Sequence, residues 1–386
     1  MLSKVKYVFL CIIILLNSIL FSGCWNYREV ENTVIVAGAA IDTGEQSSYK
    51  LTVEIVTPTG GNDVKLESML ISSEGESMFD CVRNAIAASG KELYWSHNKI
   101  LIISKEVAQK GVLDIVDWLI RDAETRDNIY IMVSTENTAE EILQGGDTTQ
   151  TIKSYNIADM VKNEESLSKA PLVHMWEFAN NMSGEGISAI APTIRLREND
   201  KGKIPTVGGT AIFKGDKLIG FFGEEETKDI LFIQNKIKGG LIVPILKHKE
   251  KEFSVALEIF KSKTKVKPVI NDDNIKFNIN IETTVSLSEL GGSINLIDEK
   301  GRQELIKIAE ASIKKRTEST AKKIQREYGV DILGLGEKIY ENDNKAWKKL
   351  GKNWYDKFKN AKIDVTAKIH IKSTSMLSKP LKVKVN

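Results

Sequence analysis

Three stretches near the C-terminal end decide the fold: Phe253-Ser254-Val255-Ala256-Leu257-Glu258-Ile259, Phe277-Asn278-Ile279-Asn280-Ile281 and Ile363-Asp364-Val365-Thr366-Ala367-Lys368-Ile369-His370-Ile371. In each, bulky or apolar residues occupy every second position, and mostly polar residues fill the gaps. Val285 and Leu287 resume the second pattern. A period of two is the mark of strands with one face on a core, so these segments predict an antiparallel sheet. Between them, residues 301–328 change to a helical period, with Ile306, Ala309, Ile313, Thr317, Thr320, Ile324 and Tyr328 on one side. That long helix is the expected cover of the sheet. A shorter helical pair, around 335–341 and 344–359, carries Trp347, Trp354, Tyr355 and Phe358, whose expected role is core packing.

Upstream, strands alternate with helices. Val34–Ile41 reads as a buried strand, and 48–56 as a half-buried one with Tyr49, Leu51, Val53 and Ile55 inward. Ser73-Glu74-Gly75-Glu76 fits a capping box opening a helix through Met78, Val82, Ala85 and Ile86. A strand at 99–104 follows, then a helix capped by Ser104 with Val112, Ile115, Val116, Leu119 and Ile120 on its apolar stripe. A strand at 128–134 and a short helix at 138–143 complete this series. Residues 147–190 read as broken helix, and Pro192 with the polar run 197–202 as a boundary. Gly208–Gly220 predicts a hairpin turning at Gly215-Asp216. A helix at 224–235 and a strand at 241–246 link it to the C-terminal sheet.

The fold class is therefore α+β, that is mixed α/β, and multi-domain. The expected segments are a leader at 1–23, an N-terminal mixed domain at 24–198, a hairpin-helix-strand unit at 199–247 and a C-terminal α+β domain at 248–386.

The leader is read from Lys4 and Lys6, the apolar run Val8–Leu16 extended by Ile19-Leu20-Phe21, and then Ser22-Gly23-Cys24. This order is a secretory signal peptide. A small residue directly before Cys24 marks a lipobox: cleavage before Cys24 and a diacylglyceryl thioether on its sulfur. Phe21 stands where Leu is commonest. No second long apolar run exists, so the body is not expected to span a membrane. With Cys11 in the leader and Cys24 lipidated, Cys81 is left without an intrachain partner and is expected to be a buried, inert thiol.

The chain carries 54 basic and 52 acidic residues, a net of +2. Residues 24–198 have a net charge of −12 and residues 199–386 a net of +12. Export argues against nucleic acid as the partner of the basic half. An anionic lipid surface or an acidic face of another subunit fits better, beside the plain reading of a lysine-rich solvated surface.

Enzyme signatures are sparse. His97, His174, His248 and His370 form no His-x-x-x-His pair, so no zinc helix is present. There is no Gly-x-Ser-x-Gly elbow. Gly334-Leu335-Gly336-Glu337-Lys338 lacks P-loop spacing and reads as a helix-initiating turn. Glu224-Glu225-Glu226 reads as helix-dipole complement rather than a catalytic pair. No catalytic residue, cofactor or metal is expected, and direct small-molecule binding has no motif behind it.

Several blocks in this order resemble the Ger(x)C family, the C-subunit lipoproteins of bacterial spore germinant receptors. They are Cys24-Trp25-Asn26 with Arg28–Glu31, Gly38–Asp42 with the Tyr49–Pro58 strand, and His97-Asn98-Lys99 before Ile100–Ser104. Arg121 with Arg126, Gly209–Lys214 with Lys217–Gly220, and Asp331–Gly336 followed by Trp347 and Trp354 complete the set. The resemblance implies three mixed α/β domains with no recognised enzymatic activity. It further implies a lipid-anchored subunit on the outer face of the spore inner membrane, with a partly soluble A subunit and a multispan B subunit as partners. An exported solute-binding lipoprotein that captures the germinant itself is the competing reading.

Overall fold

The computed structural model describes residues 4–12, 32–60, 63, 65–122, 124–146, 151–200, 202–248, 251–271, 274–290 and 299–374. Cys24 and its neighbours lie outside the described residues. Residues 4–12 are helical, and no helix among the described residues is long and apolar enough to cross a membrane.

Nine strands build the first sheet: β1 (Thr33–Asp42), β2 (Tyr49–Thr59), β3 (Lys65–Gly75), β4 (Glu92–Tyr94), β5 (Ile100–Ile103), β6 (Tyr130–Ser134), β7 (Ile190–Asn199), β8 (Gly202–Lys214) and β9 (Lys217–Phe222). Their order is β3-β2-β1-β5-β6-β7-β8-β9, with β4 beside β1. The central run from β1 through β5 and β6 to β7 is parallel, and the flanking pairs are antiparallel. Parallel strands need cover on both faces. Leu101 and Ile103 of β5 face α1 (Met78–Ser89), α2 (Lys105–Lys110) and α3 (Leu113–Arg121), while Ile100 and Ile102 face α4 (Glu140–Gln144) and α5 (Lys153–Leu167).

This two-sided cover changes one expectation. β2 is not half-buried: Thr52 and Glu54, on its polar face, are buried. Glu54 accepts hydrogen bonds from the backbone N–H groups of Lys153 (2.9 Å) and Ser154 (2.7 Å) at the start of α5. Lys50 pairs with Glu140 at 2.6 Å. The helix start beneath the sheet needs acceptors, and the polar side chains of β2 supply them. The cap of α1 also moves. Ser77, not Ser73, accepts from Asp80 N–H, while Ser73 and Glu74 belong to the edge strand β3. The helix expected from Ser104 through Ile120 is two, broken at Gly111 (φ 135°). Arg197, Glu198 and Asn199 end β7 and pair with Ile204, Lys203 and Gly202 of β8, so the 24–198 and 199–247 segments meet within one sheet.

The second sheet contains β10 (Leu241–Ile242), β11 (Ile245–His248), β12 (Lys251–Asn271), β13 (Asn274–Leu290) and β14 (Lys362–Thr374). β12 and β13 form the expected antiparallel hairpin. β14 departs from expectation by pairing parallel to β13. The chain leaves β13 and returns through α8 (Glu299–Lys323), a crossover that brings it back to the end where β13 began.

α8 covers the sheet as expected, burying Leu305, Ala309, Ile313, Thr317 and Thr320. It also closes the outer edge of β14. Glu310 accepts from Ile369 N–H (2.9 Å), Glu318 from Val365 N–H (3.1 Å), and Arg302 donates to the Ile371 carbonyl. Eight helical residues rise about 12 Å and four strand residues about 13 Å, so the two carboxylates meet alternate edge amides in register.

α7 (Glu224–Ile233) lies along α8 and is held there by charge. Arg316 pairs with Glu225 (2.8 Å) and Asp229 (3.2 Å), Thr320 donates to Asp229 (2.9 Å), and Lys323 pairs with Glu226 (3.0 Å). Glu224 turns the other way, to Lys169 (3.1 Å) and Arg195 (2.9 Å). One hydrophobic core runs through both sheets, and every strand and described core residue apart from the leader lies in 33–374. The chain from residue 25 onward therefore carries every described strand and core residue.

Phe277 is fully buried in this core and meets Trp354 edge-on at 6.3 Å between ring centroids. Phe277→Ala should lower unfolding free energy by about 3–5 kcal/mol, measured by urea denaturation of residues 25–386. A loss below about 1 kcal/mol would show that Phe277 is not packed in the core as described.

Candidate functional site

The two sheets are locked together by the segment Asp331-Ile332-Leu333-Gly334-Leu335-Gly336, whose last two residues begin α9 (Leu335–Asn342). The carboxylate of Asp331 is buried. It accepts from Leu333 N–H (3.0 Å), Gly336 N–H (2.7 Å) and the Trp354 indole N–H (3.0 Å). Trp354 opens α11 (Trp354–Asn360), after α10 (Asn344–Leu350). The Asp331 carbonyl takes Ser188 N–H (2.8 Å), just before β7, and the Ile332 carbonyl takes the Gln234 amide (2.7 Å), just after α7. Glu337 N–H donates to the Gly186 carbonyl at 3.0 Å. A Cβ on Gly186 would stand 2.4 Å from the carbonyl carbon of Gly336, and one on Gly336 2.5 Å from the Trp354 indole nitrogen. Only glycine allows that approach.

Two clefts open beside this lock. The larger, about 620 Å³, lies among α6 (Met175–Ser183), the end of α7, β12 and α9. Trp176, Asn180, Glu177, Lys236, Glu337 and Lys338 line it. Glu177 and Lys236 form an ion pair across it. Burial raises the Glu337 carboxyl above its usual range, with Lys338 pulling the other way. The smaller cleft, about 310 Å³, is walled by Trp347, Trp354 and Tyr355, with the Trp347 indole bound to Glu185 at 3.0 Å. In the larger cleft, charges of both signs beside the exposed Trp176 indole suit a small polar solute or a peptide segment.

The buried carboxylates elsewhere serve as acceptors for the fold. Asp42 accepts from Ala139 N–H (2.6 Å) and Glu140 N–H (3.0 Å). Glu164 accepts from Lys169 and Ala170 N–H, both at 2.9 Å. Burial pushes Asp229 up to about 6, against Arg316 and Thr320. The Glu224–Glu226 triplet occupies the first turn of α7 and is spent in the ion pairs above. Burial pushes the Cys81 thiol up to about 11, which leaves it un-ionised, as the sequence implied.

Among the described residues no group of three or more His, Cys, Asp or Glu side chains could hold a metal. His370 is exposed beside Glu282 (2.9 Å), and His174 stacks on Tyr130 with centroids 4.7 Å apart. Trp347, Trp354 and Phe358 pack in the core as expected, while Tyr355 sits at its rim and meets Ser188 through the two hydroxyls at 3.2 Å. Cys24, the one site residue named from sequence, is outside the described residues. The lining of the larger cleft had no signal in the sequence, because it comes from four separated segments.

Comparison with known proteins covers nearly all of the chain. Residues 26–196 match the spore germination protein N-terminal domain, and residues 208–375 match the spore germination B3/GerAC-like C-terminal domain. Spore germination protein B3 of Bacillus subtilis (strain 168) is 26% identical over 356 residues, covering 90% of this chain and 93% of that protein. Spore germination protein KC of the same organism is 23% identical over 403 residues, covering 98% of each. The crystal structure of the GerBC protein superposes with a TM-score of 0.56 at 23% identity, covering 87% of this chain and 97% of that one. The mixed α/β architecture is thus shared.

Burial pushes the Asp331 carboxyl up to about 6, against the pull of the amides of Gly336, Leu335 and Leu333 and the Trp354 indole. An acid whose pKa is higher folded than unfolded stabilises the fold at low pH, and that contribution is lost as pH rises through about 6. The cost of Asp331→Asn should therefore be about 1 kcal/mol larger at about pH 5 than at about pH 7. Paired urea titrations of both proteins check this; equal costs at the two pH values would refute it.

Proposed function

Because the chain belongs to the spore germination B3/GerAC-like family, we propose that it is the lipid-anchored C subunit of a spore germinant receptor. In this role it assembles or couples the A and B subunits on the outer face of the spore inner membrane and catalyses no reaction. The observation that carries the reading is the end-to-end family match, residues 26–196 and 208–375. A body whose buried carboxylates are engaged by its own amides and cations fits a scaffold. Cys24 is the attachment point in this proposal, through a thioether-linked diacylglycerol. Two buried acyl chains, at ~0.8 kcal/mol per CH₂, suffice for stable anchoring.

The larger cleft favours one second reading, direct capture of a germinant, because Trp176 is 47% exposed beside Glu177 and Lys236. Calorimetric titration of residues 25–386 with amino acids and sugars separates the two. Saturable binding lost in Trp176→Ala would establish capture, and no heat would leave assembly alone. For assembly, the test is copurification from spore membranes. The A and B subunits should come with the wild-type chain, and Cys24→Ala should fold normally yet move to the soluble fraction. A Cys24→Ala protein that stayed fully membrane-bound would overturn lipid anchoring.

A further inference from the structure

The outer face of the second sheet, opposite α8, combines two features that no part of the fold uses. Along β12 the side chains of Lys261, Lys263, Lys265 and Lys267 are exposed on one face, after a bulge between Ile259 and Lys261. At about 6.7 Å per pair of residues, the row spans about 20 Å. None of the four has an ion-pair partner among the described residues. Lys276, Lys362, Lys368 and Lys372 continue the face across β13 and β14. Among the described side chains its carboxylates are Glu258, Glu282, Glu289 and Asp364, of which Glu282 faces His370 (2.9 Å) and Asp364 holds Lys276 (2.8 Å) and Lys362 (3.6 Å).

Beside the lysine row stands an apolar ridge. Leu241 of β10, Val243 of the short link after it and Ile245 of β11 alternate outward, 45%, 50% and 63% exposed, and Phe260 of β12 is 56% exposed. The register places them on the same face, with Leu241 opposite Glu258 and Ile245 opposite Ser254.

We propose that this face is a second membrane contact, in which Leu241, Val243, Ile245 and Phe260 enter the interface of an anionic phospholipid bilayer and the β12 lysine row binds its headgroups. The choice of lipid over a protein partner rests on composition. Protein interfaces are enriched in Arg and depleted of Lys. Here the cations are lysines and His370, with no Arg among the described residues of the face. Compact, hydrated lysine charges beside exposed aliphatics are the pattern of a peripheral membrane surface. Protection of an edge strand explains lysines on β12, but not Lys276 on the central strand, nor an exposed apolar ridge, which is itself a liability at an edge.

The test is cosedimentation of residues 25–386 with vesicles of equal parts phosphatidylglycerol and phosphatidylcholine, against pure phosphatidylcholine. This protein has no acyl group, so the result is independent of anchoring through Cys24. Binding is expected to the anionic vesicles only and to weaken at high salt. Each lysine near an anionic surface contributes about fivefold in affinity. Reversing Lys261, Lys263, Lys265 and Lys267 to Glu should thus weaken binding at least tenfold, with the fold verified by circular dichroism. Val243→Ser with Ile245→Ser should weaken it severalfold at both salt levels. Absence of wild-type binding, or a charge-reversed protein that binds as well as wild type, would overturn the proposal. If vesicle binding were absent while charge reversal abolished copurification of partner subunits, the face would belong to a protein instead.

Discussion

A single buried carboxylate, Asp331, carries the junction on which the rest of the molecule depends. An ion taken out of water costs several kcal/mol unless its lone pairs are filled. Three N–H groups within 3.0 Å fill them, and they come from its own loop and from Trp354. The loop so held presents its carbonyls to Ser188 before β7 and Gln234 after α7. The carboxylate, held by its own loop and by Trp354, thereby ties together elements far apart in sequence, Gln234 and Ile332 being 98 residues apart. The glycines at 186 and 336 belong to the same constraint, because the two backbones touch where any side chain would intrude.

The same device recurs at smaller scale. Asp42, Glu54 and Glu164 each take two successive backbone amides, the first two at helix starts beneath the first sheet and the third just beyond the end of α5. Glu310 and Glu318 do the converse, reaching from a helix to the open edge of β14. Helix ends and strand edges are where backbone groups lack partners. Carboxylates close them here, so polar residues in the interior join layers.

Alternation made β12, β13 and β14 legible because a period of two survives any tertiary context. It did not reveal direction. Whether β14 runs with or against β13 depends on the crossover through α8, which leaves no mark within the strand. β3 was missed because Lys65–Gly75, an edge strand, is too polar to show the pattern. In β2 alternation marked which side chains are polar but not that both faces are covered; Thr52 and Glu54 are buried because α5 begins beneath them. The aromatic core at Trp347, Trp354 and Phe358 was readable, being local and rich. The larger cleft was not, since Trp176, Lys236, Thr264 and Glu337 come together only in three dimensions.

The parallel return of β14 has a consequence for how such a chain is made. Lys276 pairs with Lys362, and Val285 with Ile371, so β13 waits for a strand made after the helices α8 to α11. Loop closure over that distance is slow relative to hairpin formation. Until β14 emerges, the β12–β13 ribbon holds Phe277, Ile279 and Ile281 without their partners Ile363, Val365 and Ala367. A copy cut before Lys362 therefore leaves the β13 edge without its partner strand. Pairing of β14 thus closes the second sheet only after the helices between it and β13 have been made.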